Sequence, residues 1–198
     1  MTEMHELNRK GWDVISPYWQ AKVDATKDWR RCHIDPTLAL NQQELRYLGD
    51  ISGKNACVLG SGNNLVAFTL AGLGAKVTSV DISEKQLGIA AERAKELKLD
   101  IEFIRADVTD LSSIPDETFE LVYTGGHVAV WVSDLNRYYG EAGRILKPGG
   151  MFMVNEYHPF RRIWKELPDR LEIGSGYFDR GPYLSDLSEE IPSAKVGP

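Results

Sequence analysis

The sequence predicts an α/β fold: a doubly wound, mainly parallel sheet with a helical cap at its N-terminus. Three observations carry this. From residue 36 onward short apolar runs alternate with amphipathic stretches, the pattern of parallel strands joined by crossover helices. The first apolar run ends in a glycine turn, Gly60-Ser61-Gly62. The first 35 residues contain Trp12, Tyr18 and Trp19 but no strand pattern, so they lie outside the sheet.

The elements follow in order. Asp35-Pro36 reads as an N-cap followed by proline at the first helical position. Leu38, Leu45 and Leu48 then fall on one helical face. Ala56 to Leu59 is a buried parallel strand, apolar throughout. Leu65 to Leu73 is a short helix closed by Gly72 and Gly74. Lys76 to Asp81 is the second strand. Ser83 and Gln86 have capping-box spacing, and Leu87, Ala90, Ala91, Ala94 and Leu97 form the apolar stripe of the helix that follows. Ile101 to Ile104 is the third strand and Phe119 to Tyr123 the fourth. Leu135, Tyr138, Tyr139, Ala142, Ile145 and Leu146 keep helical period. Lys147-Pro148-Gly149-Gly150 is a tight turn, and Met151 to Val154 is the fifth strand. Beyond Pro159 the periodicity fades. Arg161 to Leu167 reads as helical, then Gly174-Ser175-Gly176 and Gly181-Pro182 are loop signals. The tail from Ser185 is acidic and proline-bearing, and reads as loosely ordered. The expected organisation is a helical cap over 1–35, a Rossmann-like domain over 36–160, and a loop-rich extension over 161–198.

Bulk properties narrow the function. A net charge of −6 repels phosphate backbones and argues against nucleic acid as a partner. The local basic run Arg161-Arg162-Ile163-Trp164-Lys165 reads as a solvated face, with a clamp for an anionic substrate as the alternative. No apolar run approaches the ~18 residues of a membrane span, and the first residues lack the order of a signal peptide. The expectation is therefore a cytoplasmic protein without a membrane partner. The two cysteines, Cys32 and Cys57, are too few for a disulfide framework and have no metal spacing. No metal site is expected.

The chemistry-bearing residues cluster at strand ends. A glycine turn between strand and helix lets a ligand approach the backbone near the helix's positive end. The second strand ends in Asp81, 21 residues after Gly60. In a doubly wound sheet that carboxylate can accept the hydroxyl hydrogens of a ribose. A dinucleotide is disfavoured because Leu65 stands where the nicotinamide fingerprint needs glycine or alanine. A Tyr-x-x-x-Lys spacing at Tyr18 and Lys22 precedes the glycine turn, the wrong chain order for a short-chain dehydrogenase.

Four segments in order, Val58-Leu59-Gly60-Ser61-Gly62, Val80-Asp81-Ile82-Ser83, Ala106-Asp107-Val108 and Leu146-Lys147-Pro148-Gly149-Gly150, resemble the successive motifs of class I S-adenosyl-L-methionine (SAM)-dependent methyltransferases. The resemblance covers roughly residues 40 to 158 and implies a Rossmann-like sheet of seven strands. It implies that Gly60, Ser61 and Gly62 pass under the methionine part of SAM. Asp81 would hold the ribose hydroxyls, and Ile82 would lie against adenine. Asp107 would accept from the adenine amine, with the Val108 amide at a ring nitrogen. Thr124 and Gly125 would border the sulfonium. Trp12, Tyr18 and Trp19 resemble the cap that closes over SAM in small-molecule members. The sequence departs from the family in three ways. Val58 replaces an acidic residue, Asn64 replaces the third motif glycine, and only 44 residues follow Val154, without a convincing strand pair to close the sheet.

Methyl transfer is a displacement at a strong electrophile, so alignment and desolvation can do most of the work. A base is needed only if the acceptor must lose a proton. His127, after the fourth strand, is one candidate. Tyr157 and His158, beside Glu156 after the fifth, are the others. The reading is methyl transfer to a small-molecule acceptor. Two rivals stay open: a SAM-binding protein with degenerate or no catalysis, and a nucleotide-cofactor oxidoreductase. A fifth strand left uncovered would expose unpaired amides, so that edge is expected to be covered by the chain's own tail or by a second copy in a homodimer, the second copy being favoured.

Overall fold

The computed structural model describes residues 1–167 and 169–179. Five strands form one parallel sheet: β1 (Asn55–Leu59), β2 (Lys76–Asp81), β3 (Ile101–Arg105), β4 (Phe119–Gly125) and β5 (Leu146–Asn155), in the order β3-β2-β1-β4-β5. Four helices join or flank them: α2 (Gln42–Leu48), α3 (Leu65–Gly72), α4 (Glu84–Leu97) and α5 (Leu135–Ile145). The strand order reverses between β1 and β4. That reversal opens a crevice at their carboxyl ends, where ligands of such sheets bind.

Side-chain alternation along β1 sorts the core into two layers. Ala56 and Val58 pack with Leu48, Leu70 and Val77 on the α2–α3 face. Cys57 and Leu59 pack with Val122, Tyr138 and Ile145 on the α5 face. The approach of α3 to the segment before α2 is close enough to require glycine. A Cβ at Gly72 would collide with the His33 carbonyl.

The N-terminal 35 residues have two roles. Helix α1 (Glu3–Thr26) crosses the carboxyl ends of β2 and β3 with its first half. Its last turns, with Trp29 and Cys32, form a third core cluster with Phe68, Ala90 and Ala94. The Arg93 guanidinium stacks on Trp29 at 4.9 Å and donates to Asp24 at 2.8 Å. The far end of the cap is therefore core, not cover.

Three elements differ from the sequence reading. No single helix runs from Pro36. A 3-10 turn, Pro36–Leu38, ends early and α2 starts anew at Gln42. The cause is a capping box: the Asn41 side chain accepts the amides of Gln43 and Glu44, and the Glu44 carboxylate accepts the Asn41 amide at 2.8 Å. The expected turn at 147–150 is an irregularity inside β5. Leu146 pairs with Phe119, and the ladder resumes at Leu121–Met151. Arg161 to Leu167 is not a helix. A 3-10 turn, Pro159–Ile163, leads into an antiparallel hairpin of β6 (Trp164–Glu166) and β7 (Leu171–Ile173). This hairpin forms its own sheet, so among the described residues nothing pairs with the outer edge of β5. The proline-bearing tail from Ser185 lies outside the described residues. No helix among them is long and apolar enough to cross a membrane.

Candidate functional site

A cavity of about 440 Å³ lies at the carboxyl ends of β1, β2 and β4. Its floor is the glycine turn after β1. Gly60 has φ +60°, and a Cβ there would collide with the Val128 side chain. Only glycine lets both the backbone angle and that neighbour stand. Asn64, the residue in place of a third glycine, has φ +62°, a conformation asparagine tolerates better than most residues.

Strand β2 holds this turn from two sides. From below, the Asn64 side-chain amide donates to the Gly62 carbonyl at 2.9 Å. Its oxygen lies 2.6 Å from the Ser79 hydroxyl, which is 2.8 Å from the Ser61 hydroxyl. All three side chains are buried. From the strand end, Asp81 accepts the Gly62 amide on one oxygen and the Ser83 amide on the other, each at 2.8 Å. Burial pushes the Asp81 carboxyl above its ordinary value, against the lowering effect of the Ser83, Gly62 and Ile82 amides.

The next strand end carries Asp107. One of its oxygens accepts the Thr109 amide at 3.0 Å and hydroxyl at 2.8 Å. The other lies 2.7 Å from Nδ1 of His5, on α1. Burial works to raise this carboxyl, but the Thr109 and His5 hydrogen bonds outweigh it and hold it below the usual value. Ile82 and Val108 also line the cavity.

Helix α1 and the loop after β4 make the roof. Trp12 meets Trp19 at 6.3 Å and Trp131 at 5.4 Å, both edge to face, and all three line the cavity. Asn8 ties the two segments by donating to the Trp131 carbonyl at 2.9 Å. Gln20 donates to Gln86, whose buried amide nitrogen has no partner among the described residues although the residue lines the cavity.

The sequence-predicted site residues divide clearly. Gly60, Ser61, Gly62, Asp81, Ile82, Asp107, Val108, Gly125, His127 and Trp19 share the cavity. Four do not line it. Tyr18 points elsewhere, because adjacent helical residues diverge by about 100° and Trp19 takes the inward face. Thr124 is fully buried against the Tyr138 hydroxyl. Tyr157 is 58% exposed and stacks on His127 at 3.3 Å. His158 accepts the Phe160 amide on Nδ1, which caps the following turn. Between His127 and β5 stands Glu156, its carboxylate 3.9 Å from His127 Nδ1 and raised by burial. Sequence reasoning missed His5, Asn8, Gln20, Gln86 and Trp131. The Ser83–Gln86 spacing was a signal for Gln86, but it pointed to a cap.

Fold and cavity together define a Rossmann-like protein whose ligand crevice is floored by a glycine turn and edged by two strand-end aspartates. Residues 58–154 match the family described as "Methyltransferase domain". The chain is 29% identical to the demethylmenaquinone methyltransferase of Thermus thermophilus, covering 85% of this chain and 76% of that one. It is 27% identical to the ubiquinone biosynthesis O-methyltransferase of Paramagnetospirillum magneticum, over 63% of this chain and 49% of that one. Among solved structures it resembles an S-adenosylmethionine dependent methyltransferase from Mesorhizobium loti, with a TM-score of 0.54, 27% identity, and coverage of 65% and 60%. The chain has the class I SAM-dependent methyltransferase fold, with residues 58–154 matching the methyltransferase family. It spans about half the length of several curated relatives it matches, and its described sheet has five of the seven strands the resemblance implied.

The residues present fit the family's cofactor. The glycine floor admits a ligand against the backbone, two buried carboxylates edge the cavity, and Gln86 offers a buried amide nitrogen without a partner among the described residues.

Proposed function

We propose that this protein transfers the methyl group of SAM to a small-molecule acceptor bound in the same cavity. The carrying observation is that one cavity runs from the glycine floor to the tryptophan roof. Apolar and aromatic walls with a few placed polar groups are the usual lining of small-molecule sites.

When bound, the cofactor supplies an electrophilic methyl group on a sulfonium. The chain's own residues do the rest. Asp81 accepts from the ribose hydroxyls with the lone pairs its backbone partners leave, and Asp107 and Val108 read adenine. Gly60, Ser61 and Gly62 take the methionine part, with Gly125 and the buried Thr124 behind the reacting centre. Trp12, Trp19 and Trp131 exclude water and press a flat acceptor toward the floor. The relatives named for demethylmenaquinone and for ubiquinone biosynthesis favour an acceptor with a ring. His127 is the acceptor contact, and the base where the acceptor must lose a proton. Glu156 and Tyr157 hold its ring, and His158 shapes the turn behind them. Tyr18 lies one residue from the roof and acts through the set of α1.

A cytoplasmic location belongs to this reading, since two buried free thiols, Cys32 and Cys57, suit a reducing compartment. So does a homodimer through β5, where Met151 and Val154 are exposed beside an edge that is unpaired among the described residues. The five-stranded sheet also supports a second reading, SAM binding without turnover. Calorimetry with S-adenosylhomocysteine tests the shared cofactor claim, and turnover over an acceptor library separates the two readings. Binding with product formation is expected. Binding without product from any acceptor would favour the second reading, and no binding would end both.

A further inference from the structure

We infer that His5 is a positioning residue for adenine recognition, acting through Asp107. The inference rests on the SAM reading above and deepens it. Helix α1 carries His5 to Asp107 across 102 positions of sequence, and both side chains are buried. The ring's other nitrogen, Nε2, accepts the Ser133 backbone amide at 3.0 Å and lies 3.0 Å from the Ser133 hydroxyl. A backbone amide can only donate. Nε2 therefore holds a lone pair, and the ring proton sits on Nδ1, aimed at Asp107.

The consequence for Asp107 is a matter of counting. An ionised carboxylate has about four lone-pair sites. The Thr109 amide and hydroxyl take one oxygen, and His5 takes a site on the other. These three bonds fix the plane of the group. They leave about one acceptor site for the cavity that Asp107 lines. An exocyclic amine donates there, whereas a carbonyl in its place would meet a carboxylate lone pair. The Asp107–Thr109 pair alone leaves the second oxygen unheld. His5 thus supplies part of the discrimination between a 6-amino and a 6-oxo purine. It also ties the docking of α1 to the adenine end of the site.

The test is calorimetry with S-adenosylhomocysteine and its inosine analogue, in which a carbonyl replaces the 6-amino group. Wild type, His5→Ala and His5→Asn are compared, and His5→Phe replaces the alanine variant if that one does not fold. Wild type is expected to prefer the adenosine compound. His5→Ala should lose about tenfold on it, the scale of one hydrogen bond to a charged group, with far less change on the inosine compound, so the preference shrinks. His5→Asn, whose side-chain amide can donate to Asp107, should recover part of the preference. Equal weakening of both compounds would overturn the inference and leave His5 as packing for α1. Unchanged affinities would overturn it too. Failure of wild type to bind either compound would overturn the cofactor reading, and this inference with it.

Discussion

The two ends of the cavity are built differently. At the β2–β3 end three polar side chains are buried and bonded: Asp81 to two amides, Asn64 to Gly62 and Ser79, Asp107 to Thr109 and His5. At the β5 end Tyr157 is mostly exposed, Glu156 stands 3.9 Å from His127, and the strand edge is open among the described residues. The first end is preorganised for one ligand, at the expense of desolvating two carboxylates. The second is held differently: Glu156 accepts the Ala129 amide at 3.2 Å, and the exposed Tyr157 stacks on His127. This suits a site in which the cofactor is constant and the acceptor is what varies.

The comparison can be broken at its strongest point first. Asp81→Ala is expected to weaken S-adenosylhomocysteine binding by roughly 1.5–3 kcal/mol, the range for hydrogen bonds to a charged group. Calorimetry showing unchanged affinity in a folded variant would mean that the β2 end is not the preorganised one. Next is Asn64. Asn64→Ala puts an ordinary residue at φ +62° and should cost about 1–2 kcal/mol of stability from the backbone alone. Asn64→Gly removes that strain but also the bonds to Gly62 and Ser79, so it should keep stability better than alanine yet still bind the ligand less tightly than wild type. If glycine binds as well as asparagine, the side-chain network below the turn has no part in holding it.

The two aspartates also predict opposite responses to pH. Asp107 lies below its ordinary value, so its contribution is present above the unfolded carboxyl value and is lost as pH falls through the folded one. The stability gap between wild type and Asp107→Asn, read from urea midpoints, should be largest near neutrality and close in acid. Asp81 is raised, and its contribution becomes less favourable as pH climbs from the unfolded value to the folded one. A wild-type gap over Asp107→Asn that widens in acid would reverse the assignment. The smallest effect belongs to the β5 end. His158→Ala removes one exposed cap bond and should shift stability by within ~0.5 kcal/mol. A thermal shift of several degrees would show that this end is as tightly built as the other.

Most of the sheet was legible from short apolar runs, Ala56 to Leu59 in β1 and Leu121 to Tyr123 in β4; β2 is buried from Val77 to Asp81 but mixes valine with Thr78 and Ser79. Asp81 and the glycine turn were legible because their spacing follows from where strands end. The start of α2 was also written in the sequence, as Asn41 three residues before Glu44. The earlier Asp35-Pro36 signal masked it. The β6–β7 hairpin was not legible: its strands have three residues each, and Leu171 and Ile173 face solvent, so no alternation records a buried face. Nor was His5. One histidine on an amphipathic helix has no local signature, and its meaning depends on Asp107 and Ser133, which only the fold brings to it.

That distance has a consequence for how the chain is made. The anchors of the first half of α1 lie at Ser83, Asp107 and Ser133, so this helix, made before the sheet, docks only after β4. At roughly 5–20 residues per second, it waits on the order of ten seconds outside the ribosome with Trp12 and Trp19 uncovered. During that interval the nascent chain presents an amphipathic helix to whatever chaperone is near. The sheet that finally receives it must be complete through β4 before the wait can end.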